Sequence, residues 1–199
     1  LVDRTVPMLP ERLCNSLCSL RPHEDKLTFS AVFELDADAK VVNQWFGRTI
    51  INSDYRFDYE QAQAIIKKEK AESDIEKAIQ ALWALAAKLR KARFDSGAVS
   101  FERPEMKVIC DEKGKPVDVV QKVSVEANHL IEEFMLLANR SVTEFVATKH
   151  QDYTFVYRIH DEPNQEKLES LRSFVKNFGY RMAPDLGGEK VSRELNKLF

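Results

Sequence analysis

Apolar and polar residues alternate in two neighbouring stretches near the start of the chain. In residues 27–35 every second position is Leu, Phe or Ala, and a second alternating run covers residues 41–51. A repeat of two residues is typical of a β-strand with one buried face. The intervening residues 36–40 are rich in Asp and Ala, and the aspartates suit a turn. The pattern therefore predicts an antiparallel hairpin.

The residues after the predicted hairpin have the spacing that is typical of helices. Two residue pairs have the spacing of a capping box, in which a residue before the helix and one three positions later bond each other's backbone. They are Asp58 with Gln61 and Ser73 with Glu76. We expect helices over about 59–70 and 74–93, the second with an apolar stripe.

The remaining pattern alternates short strands with helices. It predicts a short helix within 7–25, strands at about 98–102, 106–110 and 117–122, a helix from Val125 to about Lys149 capped by Ser124, a strand from Tyr153 to Arg158, and helices near 164–178 and 188–199. Hairpins favour a largely antiparallel or mixed sheet with several packed helices, which is the α+β class. Because no repeat or linker interrupts the pattern, we expect a single partial domain over 1–199.

Charge and cysteine usage narrow the function classes. The 199 residues include 30 Lys and Arg against 32 Asp and Glu, for a net charge of −2, so any site for a polyanion must be local. No apolar run reaches the ~18 residues of a membrane span, and three cysteines form no disulfide framework. We expect a cytoplasmic protein without a membrane partner. Because the chain begins with Leu1, it reads as a piece of a longer protein.

No motif in the chain forms a self-contained active site. Cys14 and Cys18 lie four residues apart, but only His23 is close to them, and zinc needs about four ligands. The four histidines lack a ligand spacing, and no glycine-rich phosphate loop is present. We therefore expect no metal ligand among the cysteines and histidines.

The predicted helix over 125–149 carries a polar stripe. At 100° per residue, Asn128, Glu132 and Asn139 lie within about 40° of one another. They flank an apolar stripe of Ala127, Ile131, Phe134, Ala138 and Val142. Leu130 and Leu137 lie on the far side, so we expect the helix to be covered on more than one face and Glu132 to be partly buried. Such a carboxylate belongs either to a structural hydrogen-bond network or to a functional site.

Two aromatic residues and one basic cluster each have two interpretations. Phe101 shares a strand face with Val99, which fits core packing or a platform for stacking a nucleobase. Tyr59, in the first turn of its helix, fits the core or a ligand contact. The basic cluster comprises Lys88, Arg90, Lys91 and Arg93, at the end of the predicted second helix. Its positive charges fit either the carboxyl end of a helix or contacts with phosphate groups.

A series of short motifs runs through nearly the whole chain. It comprises Val6-Pro-Met-Leu-Pro10, Leu17-Cys-Ser-Leu-Arg-Pro22, Glu24-Asp25, Leu27-Thr-Phe-Ser30, Asp95-Ser-Gly-Ala98, Phe101 with Arg103-Pro104, the Gly114 hairpin, Ala127-Asn-His-Leu-Ile-Glu-Glu-Phe-Met135 and Ala138-Asn139. Together these motifs resemble the RNB catalytic domain of the ribonuclease II and ribonuclease R family, most closely its bacterial ribonuclease R branch. The resemblance weakens after about residue 160.

The resemblance implies a central fragment of a processive hydrolytic enzyme that degrades single-stranded RNA from its 3′ end to nucleoside 5′-monophosphates with Mg²⁺. Phe101 matches the aromatic residue that stacks on the 3′-terminal bases. Tyr59 and Glu132 match positions that sense the ribose and distinguish RNA from DNA. The family's magnesium-binding aspartates and catalytic arginine lie outside the segment that matches this chain. The resemblance thus implies that the chain alone is inactive and binds no Mg²⁺.

Two alternatives to an exonuclease fragment remain open. The first is a non-catalytic RNA-binding module, whose affinity for RNA would fall steeply with salt. The second is a protein-interaction domain that binds no RNA. Separately, a piece cut from a larger sheet-containing domain exposes strand edges and apolar faces, so self-association through these surfaces is expected.

Overall fold

A computed structural model describes residues 6–99, 105–159, 161, 163–183 and 189–198. A short π-helix, Arg12–Leu17, precedes the regular elements. These are β1 Asp25–Leu35, β2 Val41–Asn52, α1 Tyr59–Lys67, α2 Asp74–Asp95, β3 Glu105–Cys110, β4 Pro116–Lys122, α3 Glu126–Lys149, α4 Gln165–Lys176 and α5 Glu189–Asn196. Helices and antiparallel strands confirm the predicted α+β class.

Both predicted hairpins are present. Strand β1 pairs antiparallel with β2, and β3 pairs antiparallel with β4. Gly114 has φ +77° in the second turn, a conformation that glycine adopts readily. The alternating residues of β1 do form one sheet face, but Leu27 and Phe29 at its end are 86% and 79% exposed. That face is therefore only partly covered in this chain.

The indole ring of Trp45 lies over Gly47 in β2. A Cβ atom at Gly47 would be 2.4 Å from Cζ2 of Trp45, so a side chain there would displace the ring. On the same sheet face, the Thr49 hydroxyl lies 2.6 Å from the hydroxyls of Thr28 and Ser30. Cross-strand side-chain contacts of this kind stabilise the hairpin.

Two predicted strands are not found as expected. Residues 154–159 are irregular, so the prediction of a strand from Tyr153 to Arg158 is wrong. The segment's aromatic and β-branched composition suits a strand, but a strand also needs a pairing partner, and no described strand pairs with this segment. The rings of Phe155 and Tyr157 pack edge to face, with centroids 5.0 Å apart. For the strand at 98–102, residues 98 and 99 are irregular and the remainder lies outside the described residues.

The chain divides into two compact units, Leu1–Ala87 with Arg103–Val142 and Lys88–Glu102 with Thr143–Phe199. In the second unit α4, α5 and residues next to them form a small apolar core. Its residues are Leu168, Val175, Met182 and Val191, with Leu171, Leu195 and Leu198 packed against them. The single partial domain over 1–199 stays a prediction. No helix within the described ranges is long and apolar enough to cross a membrane.

The two predicted capping boxes differ. At α1 the Gln61 amide donates to the Asp58 carboxylate over 2.7 Å, and the Asp58 amide donates to Oε1 of Gln61 over 3.1 Å, so the box is complete. At α2 the Glu76 amide donates to the Ser73 hydroxyl over 3.2 Å. The Glu76 carboxylate accepts from the Glu72 amide and from Lys68 instead. Only half of the second box forms.

We expect Asp58→Ala to lower the free energy of unfolding by about 1 kcal/mol, the usual contribution of a helix cap. Ser73→Ala, the matched control, should cost less because its hydrogen bond is longer and the acceptor is uncharged. Urea unfolding of both variants measures the difference. Equal losses would contradict the assignment of a complete box to α1 alone.

Candidate functional site

The structure describes two of the three residues predicted to contact RNA, and both of these are exposed. Phe101 lies outside the described residues. Tyr59 is the first residue of α1, and 51% of it is exposed. Glu132 lies on α3 and is exposed, so the expectation of partial burial is wrong. The buried carboxylate belongs to its neighbour Glu133, which is only 3% exposed.

Glu132 is exposed and Glu133 is buried because the buried face of α3 differs from the predicted one. The predicted apolar stripe includes Ile131, but that residue is 45% exposed. The buried residues are Ala127, Glu133 and Ser141. The covered face is therefore rotated away from Ile131. Leu130 and Leu137, which the sequence places beyond the predicted stripe, are half-buried on this rotated face.

The rotation leaves the polar stripe of α3 accessible. Glu132 and Asn139 are exposed, and Asn128 is half-buried at the start of the helix. Because four residues turn an α-helix by about 400°, Asn128 and Glu132 are neighbours on one face. A carboxylate on this stripe can reach a ligand, whereas the buried Glu133 cannot.

The first turn of α3 is capped by a side chain from α1. The Ala127 amide donates to Oε1 of Gln63 over 3.0 Å. Nε2 of Gln63 donates to Oε2 of Glu126 over 2.5 Å, and Nζ of Lys67 donates to Oε1 of Glu126 over 2.5 Å. We call these four residues the α1–α3 junction.

The junction replaces the cap that the sequence predicts. The hydroxyl of Ser124 lies 3.4 Å from Nε2 of His129, and Oδ1 of Asn128 accepts from the Val125 amide over 3.1 Å. The free amides at a helix start need acceptors, and here α1 supplies one. Sequence reasoning missed Gln63, since its partner Ala127 lies 64 positions later in the chain.

Tyr59 belongs to the same face of α1 as the junction. Tyr59, Gln63 and Lys67 follow one another at intervals of four residues, which places their side chains in a row. Glu132 lies six residues beyond Glu126, a rise of about 9 Å along α3. The structure therefore joins the two helices that carry Tyr59 and Glu132.

Glu126 is the electrostatic centre of the junction. Hydrogen bonds from Lys67, from its own backbone amide and from Gln63 lower the pKa of its carboxyl from 4.5 to about 2. A negative charge in the first turn also interacts favourably with the positive end of the helix dipole. The Glu126 carboxylate therefore stays ionised near neutral pH.

The basic cluster contacts its own helix. The guanidinium groups of Arg90 and Arg93 lie 4.8 and 5.0 Å from the centroid of the Phe94 ring. Nζ of Lys91 pairs with Asp95 over 2.6 Å. These contacts favour the structural interpretation of the cluster, a charged helix end packed on an aromatic ring.

The described part of the chain does not fit a metal ion. No three His, Cys, Asp or Glu side chains within it come together as a metal site. The thiol of Cys14 instead donates to the carbonyl groups of Leu9 and Pro10, over 3.3 and 3.4 Å. Near the α1–α3 junction, the described side chains that are exposed to a ligand include the phenol of Tyr59 and the carboxylate of Glu132.

Comparison with known proteins connects this arrangement to a family. Residues 1–198 match the family model described as RNB domain. DIS3-like exonuclease 2 of Schizosaccharomyces pombe is 36% identical over 90% of this chain and 21% of that protein. Ribonuclease R of Thermotoga maritima is 37% identical over 91% of this chain and 26% of that protein.

A solved structure gives the same relationship. Mycoplasma genitalium RNase R, in complex with ribose methylated single-stranded RNA, matches with a TM-score of 0.82 and 25% identity. The match covers 96% of this chain and 31% of that one. The chain thus spans between about a fifth and a third of the proteins that it matches.

We expect the stabilisation from Glu126 to depend on pH. Because its pKa is about 2 in the folded state and 4.5 is its ordinary value, the stabilisation is complete above about pH 4.5 and is lost as the pH falls toward 2. Glu126→Gln should lower the free energy of unfolding by about 1 kcal/mol at pH 7, as for a partly exposed ion pair. Urea unfolding at several pH values measures the difference between variant and parent chain.

That difference should shrink steadily between pH 4.5 and pH 2. Glu144→Gln removes a carboxylate from an exposed turn of the same helix and serves as the control. A difference for Glu126→Gln that is independent of pH would contradict the role of its charge.

Proposed function

The chain belongs to the RNB domain family, and on that premise we propose that its parent protein is a processive hydrolytic 3′-to-5′ exoribonuclease. The substrate is single-stranded RNA, and the products are nucleoside 5′-monophosphates. The match over residues 1–198 carries this proposal. The relatives named ribonuclease R and DIS3-like exonuclease 2 support it. This chain contributes part of the RNA channel.

We propose that the magnesium of the parent enzyme is held by carboxylates outside this chain. The described residues form no metal site, and a two-metal phosphodiesterase needs several carboxylates. The isolated chain is therefore inactive and takes up no magnesium in this proposal. A cytoplasmic location of the parent enzyme also stays a prediction.

Tyr59 and Glu132 contact the ribose in this proposal. A phenol can donate and accept hydrogen bonds, and an ionised carboxylate accepts from a 2′-hydroxyl. The exposure of both residues supports the assignment. DNA lacks the 2′-hydroxyl and would leave the carboxylate without that donor, which disfavours it as a substrate. Phe101, following the family resemblance, stacks on the 3′-terminal bases.

Part of the first hairpin is covered by other segments in the parent protein, in this proposal. Leu27 and Ile50 are opposite each other in the register, Phe29 lies on the same face, and all three are exposed. Apolar patches of this kind promote association when nothing covers them. The isolated chain is therefore proposed to self-associate through this face.

Hydrolysis of an RNA labelled at its 5′ end tests the proposed activity. The full-length parent protein with MgCl₂ should release nucleoside 5′-monophosphates and shorten the RNA from its 3′ end, while residues 1–199 alone should release none. Internal cleavage products would overturn the proposal. If the full-length parent binds RNA in a salt-sensitive way but does not hydrolyse it, the non-catalytic module is favoured. If the parent binds no RNA at any salt concentration, a protein-interaction domain is favoured.

We expect Glu132→Ala in the full-length enzyme to relax its preference for RNA over DNA. Loss of a hydrogen bond to a charged group should lower the ratio of kcat/KM for RNA to that for DNA by about tenfold. The measurement uses RNA and DNA oligonucleotides of one sequence. Glu144→Ala, on an exposed turn of the same helix, is the control. An unaltered ratio for Glu132→Ala would remove Glu132 from the ribose site.

A further inference from the structure

The side-chain amide of Gln63 makes two directional contacts with the start of α3. Its carbonyl oxygen accepts from the Ala127 amide, and its nitrogen donates to the Glu126 carboxylate. Rotating the amide by 180° would face a donor with a donor and an acceptor with an acceptor. Only one orientation therefore satisfies both contacts, and it fixes how α1 meets α3.

The junction joins the two helices that carry the proposed ribose contacts. Tyr59 precedes Gln63 by one turn on the same face of α1. Glu132 follows Asn128 by one turn on α3, and Asn128 belongs to the turn that Gln63 caps. The spacing of the phenol from the carboxylate therefore depends on the contact between Gln63 and the first turn of α3.

We propose that Gln63 is a positioning residue for sugar discrimination, which holds Tyr59 and Glu132 at the spacing that a ribose requires. This inference rests on the proposed function. Hydrogen bonds weaken steeply when distance and angle change, so a small displacement of one helix reduces the advantage of a 2′-hydroxyl. Binding through phosphates and base stacking is less sensitive, because neither reads the 2′ position.

The chain contains a matched control for Gln63. Nε2 of Gln80, on α2, donates to the carbonyl oxygens of Ile65 and Lys68 over 3.1 and 2.8 Å. Like Gln63, Gln80 makes two hydrogen bonds through its side-chain amide. Those of Gln80, however, join α2 to the end of α1. Gln80→Ala removes a comparable anchor without touching the α1–α3 junction.

A second variant restores the contacts by exchange. In the double variant Gln63→Glu with Glu126→Gln, the carboxylate at position 63 can accept from the Ala127 amide and from the amide at position 126. The carbonyl oxygen of that amide can still accept from Lys67. The shapes, the net charge and the hydrogen bonds are kept, so this variant separates loss of the contact from loss of the residue.

The test measures kcat and KM of the full-length enzyme on matched RNA and DNA oligonucleotides. We expect Gln63→Ala to lower the ratio of kcat/KM for RNA to that for DNA by about three- to tenfold, the value of one weakened hydrogen bond. Gln80→Ala should leave the ratio unchanged, and the exchange variant should restore it. Circular dichroism and thermal unfolding show whether each variant is folded.

Three results would overturn the inference. The ratio of kcat/KM for RNA to that for DNA could be unchanged in Gln63→Ala, or it could fall equally in Gln80→Ala. The exchange variant could also fold and still show the lowered ratio of Gln63→Ala. If Glu132→Ala lowers the ratio while Gln63→Ala does not, the positioning role fails and the proposed ribose contact stands. If Glu132→Ala leaves the ratio unchanged, the ribose contact itself fails. A parent protein that hydrolyses no RNA would overturn the proposed function, and the inference with it.

Discussion

The start of α3 depends on an acceptor that its own neighbouring sequence does not provide. Backbone amides in the first turn of a helix have no partner within the helix, and Gln63 of α1 accepts from one of them. The same glutamine binds Glu126, whose carboxyl pKa is lowered to about 2 mainly by the hydrogen bond from Lys67. This capping contact ties α1, which carries Tyr59, to α3, which carries Glu132.

Local features were predictable from the sequence, because they depend on residues close together in the chain. The alternation in residues 27–35 predicts β1, and the spacing of Asp58 and Gln61 predicts the start of α1, which the structure confirms. The strand predicted from Tyr153 to Arg158 failed because composition does not supply a pairing partner. The cap from Gln63 is a contact between distant segments, which no local pattern contains.

The candidate site divides in the same way. The grouping of Asn128, Glu132 and Asn139 follows from helical geometry. The burial of Glu132 was predicted wrongly, because apolar residues occupy several faces of α3 and the sequence does not show which face is buried. The roles of Tyr59, Glu132 and Phe101 come from the family resemblance rather than from spacing. In the proposed enzyme this segment orients the RNA, and carboxylates elsewhere carry out the hydrolysis.

A structure of the full-length protein bound to a short single-stranded RNA tests the assignment of Tyr59 and Glu132 to the ribose site most directly. In that structure the side chains of Tyr59 and Glu132 should lie within hydrogen-bonding distance of the same ribose, with the Gln63 contact to the Ala127 amide intact. A ribose held by other residues, with Tyr59 and Glu132 beyond hydrogen-bonding distance, would contradict it.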